Sequence, residues 1–353
     1  TVSRSGPYQE PSWMVEQGYR LWVSETNASG GLLGRPVELL LLDDKSSPEL
    51  AAKGYRHLIE VESVDLLLSP YGSPNTIAAA RVAESHGMVM VASSSSSTVP
   101  WEQGFRYLFG MYAMADRYFI GLLDLMARNG LTTISVAHES NEFNIDVADG
   151  IVSWAGSFGV TVLDKLSFDP AVFDEAELLR TIRQGNPDAF VISAYPDVGH
   201  ALLGEMQGMS YRPSVLALPI AAVHPLFGET FGDFAEGIFA PSQWEPDERI
   251  PFPGSSAFVT SFVEFVGVEP AYHAASAYGS GEILAMAVES VGGTDHEELR
   301  RQIASLDTVT VIGRFKTDHA GRQIGHNPIL VQWQDGKKEI VYPRAMSTAP
   351  ARF

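Results

Sequence analysis

Short apolar runs alternate with helical stripes along most of this chain. Residues 66–68, three leucines, form a continuous apolar run that predicts a buried parallel strand, and Ser-Pro-Tyr-Gly-Ser-Pro-Asn-Thr at 69–76 breaks it with turn residues. A helix is predicted at once behind this turn. Ser73 suits its N-cap and Pro74 its first position, where a missing N–H is harmless, and Ile77, Ala80, Arg81 and Glu84 keep helical spacing as far as Gly87. The next apolar run, 88–91, leads straight into Ala92 and five serines at 93–97. Two neighbouring strands therefore end in turns rich in small donors, at the carboxyl edge where open α/β sheets bind ligands. A helix N-terminus there offers unpaired N–H groups to an anion, so Ser73, Ser94 and Ser96 are candidates for gripping a carboxylate.

The alternation extends on both sides. A helix is predicted at 13–27, a glycine turn at 30–34, a strand at 37–42 and a helix at 48–60; a strand at 105–112 and a helix at 114–129 follow the central unit. Strands at 133–137, 161–168, 189–193, 214–218 and 237–240 then interleave with helices at 144–158, 175–184 and 197–209. Regular strand–helix alternation implies parallel sheets covered by helices, and two such series imply two similar lobes. The Pro- and charge-rich segment 243–254 reads as a passage back between lobes. Helices at 255–266, 272–291 and 297–306 come next, then strands at 308–315 and 328–333 around a turn at 318–321, and a last hairpin at Asp335-Gly336. From Met346 onward there is no pattern.

Composition narrows the function. The 353 residues, 45% hydrophobic, can build two cores. Twenty-four Lys and Arg against 43 Asp and Glu give a formal net charge of −19, which repels nucleic acid and anionic membrane. The lack of cysteine rules out disulfides, thiolate metal sites and a Cys nucleophile. No apolar run approaches the roughly 18 residues of a membrane span. Thr1, Val2 and Ser3 read as the tail of a strand, as expected of a trimmed mature chain or a processed export signal. The glycine turn at 30–34 follows a helix and precedes a strand, the reverse of a dinucleotide fingerprint. Asp43 and Asp44 are assigned to capping the next helix. No Gly-x-Ser-x-Gly elbow occurs, and the spacing of His319 and His326 beside Asp318 fits no zinc arrangement, so neither a hydrolase nor a metal centre is expected.

Taken together, these motifs resemble the periplasmic solute-binding proteins of branched-chain amino acid ABC transporters, the type I, Leu/Ile/Val-binding-protein-like fold. The resemblance runs from Ser5-Gly-Pro7 to about Pro343. Its most specific segment is Asn27-Ala-Ser-Gly-Gly-Leu-Leu-Gly-Arg35, followed by the acidic strand end Asp43-Asp44, the ligand loops 69–76 and 92–98, and Tyr278. It implies an α/β fold of two lobes, each a doubly wound parallel sheet, joined by three crossings with the ligand between them. The first lobe would comprise 1–114 plus 243–323, the second 117–242 plus 326–345, with 346–353 a tail. It places Ser73, Ser94 and Ser96 around a carboxylate, with Pro11, Ser12 or Trp13 flanking, Phe143 and Tyr195 as aromatic walls, and Tyr278 approaching from the last crossing.

The resemblance further implies a monomeric, non-enzymatic protein in the periplasm or another extracytoplasmic space, without cofactor or metal, that binds a small molecule, delivers it to an ABC transporter permease and does not bind nucleic acid. A ligand-sensing receptor of the same fold is the alternative, and a hydrolase a more remote one. One departure bears on the ligand. The amino acid binders of this family carry an acid in the loop that reads Pro219-Ile-Ala-Ala-Val-His224 here. A buried ammonium without a carboxylate costs several kcal/mol. A carboxylate with a hydrophobic or aromatic body is therefore expected over an α-amino acid, unless Asp116 or Glu142 replaces the missing acid.

Overall fold

The computed structural model describes residues 1–250 and 252–353; residue 251, within the predicted 243–254 passage, lies outside the described residues. In chain order the elements are α1 (Gln9–Ala28), α2 (Pro48–Glu60), β1 (Leu67–Leu68), α3 (Ser73–Ser85), β2 (Met90–Ala92), α4 (Val99–Glu102) and β3 (Leu108–Gly110). Then come α5 (Ile120–Arg128), β4 (Thr133–Glu139), α6 (Glu142–Ala155), β5 (Thr161–Phe168), α7 (Glu175–Gly185), β6 (Ala189–Ser193), α8 (Pro196–Gly208), β7 (Val215–Ala217), α9 (Phe227–Phe231) and β8 (Phe239–Ser242). The chain closes with α10 (Ser255–Val266), α11 (Tyr272–Val291), α12 (His296–Ser305), β9 (Asp307–Thr310), β10 (Gly313–Lys316), β11 (Ile329–Gln334) and β12 (Lys337–Tyr342). It folds into two compact units: Thr1–Met114 with Gln243–Asn327, and Ala115–Ser242 with Pro328–Phe353.

Unit 1 holds a three-stranded parallel sheet, β1-β2-β3, and a separate antiparallel pair, β9 and β10. The parallel strands are only two or three residues long but fully apolar, and they sit over a core of Leu67, Ala79, Ala83, Met90, Trp101 and Leu108. Helices α1 and α11 pack so closely that a Cβ on Gly18 would lie 2.3 Å from the Ala274 carbonyl oxygen, and one on Gly281 would lie 2.2 Å from the Trp22 ring. Glycine is what permits this approach.

Several expectations change here. Residues 37–42 join no sheet; a single parallel bridge, Val2 to Asp43, marks their end. Beside them lies a cavity of about 360 Å³ lined by Leu39, Leu41, Leu66, Leu68, Tyr19 and Leu284 among others, which is not at the serine turns. Asp43 and Asp44 cap nothing. Ser47 caps α2 through Leu50 N–H, while buried Asp44 accepts from Thr1 Oγ1 at 2.6 Å and Ser3 Oγ at 2.5 Å, and Asp43 accepts from the Arg4 and Lys45 amides. The first residues hold these carboxylates as hydrogen-bond acceptors instead. The predicted strand 308–315 is two strands, because Val311 and Ile312 turn the chain back on itself.

Unit 2 carries a seven-stranded sheet in the order β12-β11-β8-β7-β6-β4-β5. The five strands from β4 to β8 run parallel; β11 is antiparallel to β8 and to β12. The hairpin at Asp335-Gly336 forms with positive φ at both residues, as a right-twisted two-residue turn requires. From β4 the chain goes first to β5 on one side and then to β6 on the other, so the carboxyl ends of β4 and β6 flank a topological switch point. The residues from Met346 are no loose tail. Gln332 Nε2 donates to the Arg352 carbonyl at 2.7 Å, and Phe353 lies 5.6 Å from the Phe239 ring.

Candidate functional site

In unit 1 the two serine turns interlock. Ser69 N–H donates to the Val91 carbonyl, Ser93 N–H to Ser69 Oγ at 3.0 Å, and Gly72 N–H to the Ser94 carbonyl at 3.1 Å. Tyr19 reaches up from α1, its hydroxyl 2.9 Å from the Ser69 carbonyl and 2.7 Å from Ser93 Oγ. Burial pushes this phenol up to about 12, so it stays protonated and remains a donor. From α11, Ser276 Oγ donates to the Ser93 carbonyl at 2.6 Å.

Ser73 is not the N-cap. Gly72, at φ +88°, takes that place, and Ser73 becomes the first helical residue. Its Oγ accepts from Ser97 N–H at 3.2 Å and from Ser95 Oγ at 3.1 Å. A hydroxyl has two lone pairs and one proton. With both lone pairs engaged, Ser73 meets anything further only as a donor. Ser94 lies 3.1 Å from Ser93 Oγ, and Ser94 and Ser96 are each 4% exposed at the same turn. These three candidates are brought together.

The flanking residues divide. Ser12 is fully buried, with its Oγ accepting from Ser3 N–H at 2.7 Å; it ties down the start of the chain. Trp13 beside it is 42% exposed. Tyr278 is displaced from the serine turns. Ser276 faces Ser93, and two residues along an α-helix is a rotation of about 200°. Tyr278 accordingly points toward α1 and α10, where its hydroxyl donates to Glu25 and its ring lies 5.0 Å from Phe258. Burial, with the bond to Glu25 next, pushes its phenol far up.

Besides Tyr19, an aromatic cluster of Tyr8, Tyr71, His273 and Tyr272 extends from the first serine turn. Tyr71 lies 5.7 Å from Tyr8 and 5.6 Å from His273, which stacks at 4.0 Å on Tyr272. Tyr71 sits inside the 69–76 turn and Tyr272 opens α11; position within those motifs was the available signal.

Unit 2 gathers its candidates at the switch point. Asn141 caps α6 by accepting from Asn144 N–H, which places Phe143 in the first turn. Tyr195 precedes Pro196 at the start of α8. The two rings are buried and tilted, 6.1 Å apart, and Tyr118 meets Phe143 edge-on at 5.7 Å. Sequence reasoning passed over the residue beneath them. Glu139, the last residue of β4 and buried, accepts from Tyr195 N–H at 2.7 Å and from Asn141 Nδ2 at 2.9 Å. Burial, outweighing those two donors and aided by Asp197, pushes its carboxyl up to about 7.

The loop 219–224 folds as Leu218 to Val223, all buried and with no acid among them. Of the two suggested replacements, Asp116 stands in a one-turn 3-10 helix with its Oδ1 buried and without a hydrogen-bond partner among the described residues, while Glu142 lies in the first turn of α6.

The sequence model of the periplasmic binding protein family matches residues 1–338. The Leu/Ile/Val-binding protein homolog 8 of Brucella abortus (strain 2308) is 22% identical over 360 residues, spanning 96% of this chain and 88% of that protein. Among solved structures, the branched-chain amino acid transporter substrate binding protein LivJ from Streptococcus pneumoniae, in complex with isoleucine, superposes with a TM-score of 0.87 at 20% identity, covering 97% of this chain and 98% of that one. A solute binding protein of an ABC transporter from R. palustris, in complex with benzoate, does so with a TM-score of 0.85 at 20% identity, over 99% and 95%. At such identities the structural likeness speaks for the fold.

Proposed function

The chain belongs to the periplasmic binding protein family, and on that premise we propose that it is an extracytoplasmic solute-binding protein that hands a small carboxylate with a hydrophobic or aromatic body to an ABC transporter permease. The observation that carries this reading is Ser73. Its engaged lone pairs leave only a donating hydroxyl, in a turn with buried Ser94 and Ser96 and at the first position of α3, where the peptide dipole also favours an anion. Phe143 and Tyr195 supply the apolar surface for the ligand's body, and loop 219–224 offers no carboxylate to an ammonium. Trp13 is assigned to the rim of the site. The protein acts as a monomer and a binder, not an enzyme.

A second reading, an α-amino acid ligand, is favoured by one observation: the unpartnered Asp116 Oδ1 is an acceptor that an ammonium would satisfy. A thermal-shift comparison of benzoate and leucine separates the two. A ligand at a hundred times its dissociation constant adds about 2.7 kcal/mol of stability. Stabilisation by benzoate and not by leucine is expected; stabilisation by leucine alone overturns the first reading in favour of the second.

A further inference from the structure

We propose that Glu139 is a positioning residue for the unit 2 part of the ligand site: its carboxylate ties the Tyr195 turn to the Asn141 cap, and so sets the geometry of the Phe143–Tyr195 pair. The inference deepens the proposed function and rests on it for the role of the two rings. The two turns leave different strands, β4 and β6, on either side of the switch point. Glu139 is bonded to both: Oε1 to the backbone amide of Tyr195 itself, Oε2 to the side chain of Asn141, whose own Oδ1 caps the helix that carries Phe143. A second tie, Ser193 Oγ to Asn144 Oδ1 at 2.8 Å, joins the same two turns through neutral groups, so Glu139 is the member whose hold depends on charge.

An ionised carboxylate accepts at both oxygens. Once protonated, one oxygen carries a hydrogen and becomes a poorer, neutral acceptor, so the bond to either Tyr195 N–H or the Asn141 amide weakens. With the carboxyl raised to about 7, that exchange falls in the neutral range. Titratable groups at the same ends of the flanking elements include Asp197 in the first turn of α8, Glu142 in the first turn of α6, Asp169 just past β5, and His138 on β4 itself. Asp197 adds to the upward shift; the His138 ring turns away to the Glu139 carbonyl, its Nδ1 at 3.0 Å, and burial pushes it below its usual range.

The test follows the Tyr195 amide by NMR in the ligand-free protein between pH 5.5 and 8.5, alongside binding of benzoate and of leucine over the same range. Benzoate keeps its charge throughout, since ordinary carboxyls titrate near pH ~4. The expected result is a Tyr195 amide resonance that titrates near neutrality in the wild type and is flat in Glu139→Gln. Affinity for the bound probe should be roughly tenfold weaker at the acid end in the wild type, and uniformly weak in the variant. Asn141→Ser keeps a capping oxygen but removes the amide donor, so it should move the Tyr195 titration to higher pH; it serves also if Glu139→Gln does not fold. A Tyr195 amide that does not titrate, or a Glu139→Gln protein with the wild-type pH profile, overturns the proposal. If neither probe binds but the amide still titrates as described, the carboxylate tie stands and the ligand reading is what falls.

Discussion

The two units hold the turns at their strand ends with opposite materials. In unit 1 the turns after β1 and β2 are held by hydroxyls and peptide groups bonded to one another, Ser69 to Ser93, Ser73 to Ser95 and Ser97, Gly72 to Ser94. None of these groups changes charge near neutrality. In unit 2 the turns after β4 and β6 converge on one ionisable group, Glu139. A neutral network is insensitive to pH and tolerates a missing member poorly, because each deletion leaves a buried partner unmatched. A carboxylate tie is tighter but conditional on its proton. The turns of unit 1 are thus held independently of pH, and those of unit 2 by a bond that a proton can change.

The largest expected effect that bears on this contrast is the pH dependence of folding. Glu139 is raised in the folded state, from the ordinary 4.5 to about 7, so between these values the folded chain holds a proton that the unfolded chain has lost. Its contribution to stability is therefore full below about pH 4.5 and is lost as pH rises through 7, by on the order of 3 kcal/mol. Urea unfolding of wild type and Glu139→Gln at pH 5 and pH 8 isolates this term, since the other carboxylates cancel in the difference. Unit 1 contains a counterpart, Glu282, also raised to about 7 by burial, with Glu25 adding to the shift, and bonded to Val311 N–H. Glu282→Gln should remove a pH slope of the same sign and similar size, and should leave the pH profile of ligand binding unchanged. If both variants alter the binding profile alike, the distinction between the two sets of turns disappears.

Next in size is Ser73→Ala. It deletes the proposed donor to the ligand and the acceptor of Ser97 N–H and Ser95 Oγ. A hydrogen bond to a charged group contributes about 1.5 to 3 kcal/mol, so affinity should fall roughly ten- to a hundredfold, and by the same factor at pH 6 and pH 8. Ser94→Ala and Ser96→Ala should follow in the same direction. Calorimetric titration with benzoate reads all three, and wild-type affinity in every one of them would remove the serines from the site.

Packing supplies a third pair. Gly18→Ala in unit 1 puts a Cβ 2.3 Å from the Ala274 carbonyl oxygen, and Gly150→Ala in unit 2 puts one 2.2 Å from that of Asp116. Each should lower stability by about 1 to 3 kcal/mol. Gly204→Ala, mid-helix with open space around it, should be neutral or slightly stabilising by comparison. Equal midpoints for all three in urea would contradict the close helix approaches.

The sequence was most legible where local signals repeat. In unit 2, β4, β5 and β6, five to eight residues long, alternate with the side-chain-capped helices α6 and α7, and the 161–168 and 189–193 strands lie where the pattern puts them. In unit 1 the apolar runs outlast the strands, because β1, β2 and β3 pair over only two or three residues. Residues 37–42 are apolar at every position but Glu38 and still join no sheet, since pairing depends on a neighbour that the pattern cannot supply. Glu139 gave no signal: a single acid at a strand end reads as a solvated residue, and only tertiary burial makes it otherwise. The orientation of Tyr278 toward Glu25 and Phe258 was not legible for a related reason. Helix α11 is buried around most of its circumference, so its sequence has little amphipathic contrast to tell which face is turned toward the serines.

That last point yields the smallest expected effect. Tyr278→Phe removes the hydroxyl that donates to Glu25 and keeps the ring against Phe258. The ring is the larger part of its packing, and Glu25 is partly open to solvent, which can hydrate the released carboxylate. Stability should fall by about 1 kcal/mol or less, the net contribution of one partly exposed hydrogen bond. Ligand affinity should not change, because Ser276, two residues earlier on α11, is the residue that faces the serine turn. The informative companion is Tyr195→Ala, which removes one ring of the buried pair and should weaken binding at every pH. A Tyr278→Phe protein that binds tenfold more weakly than wild type would return Tyr278 to the site.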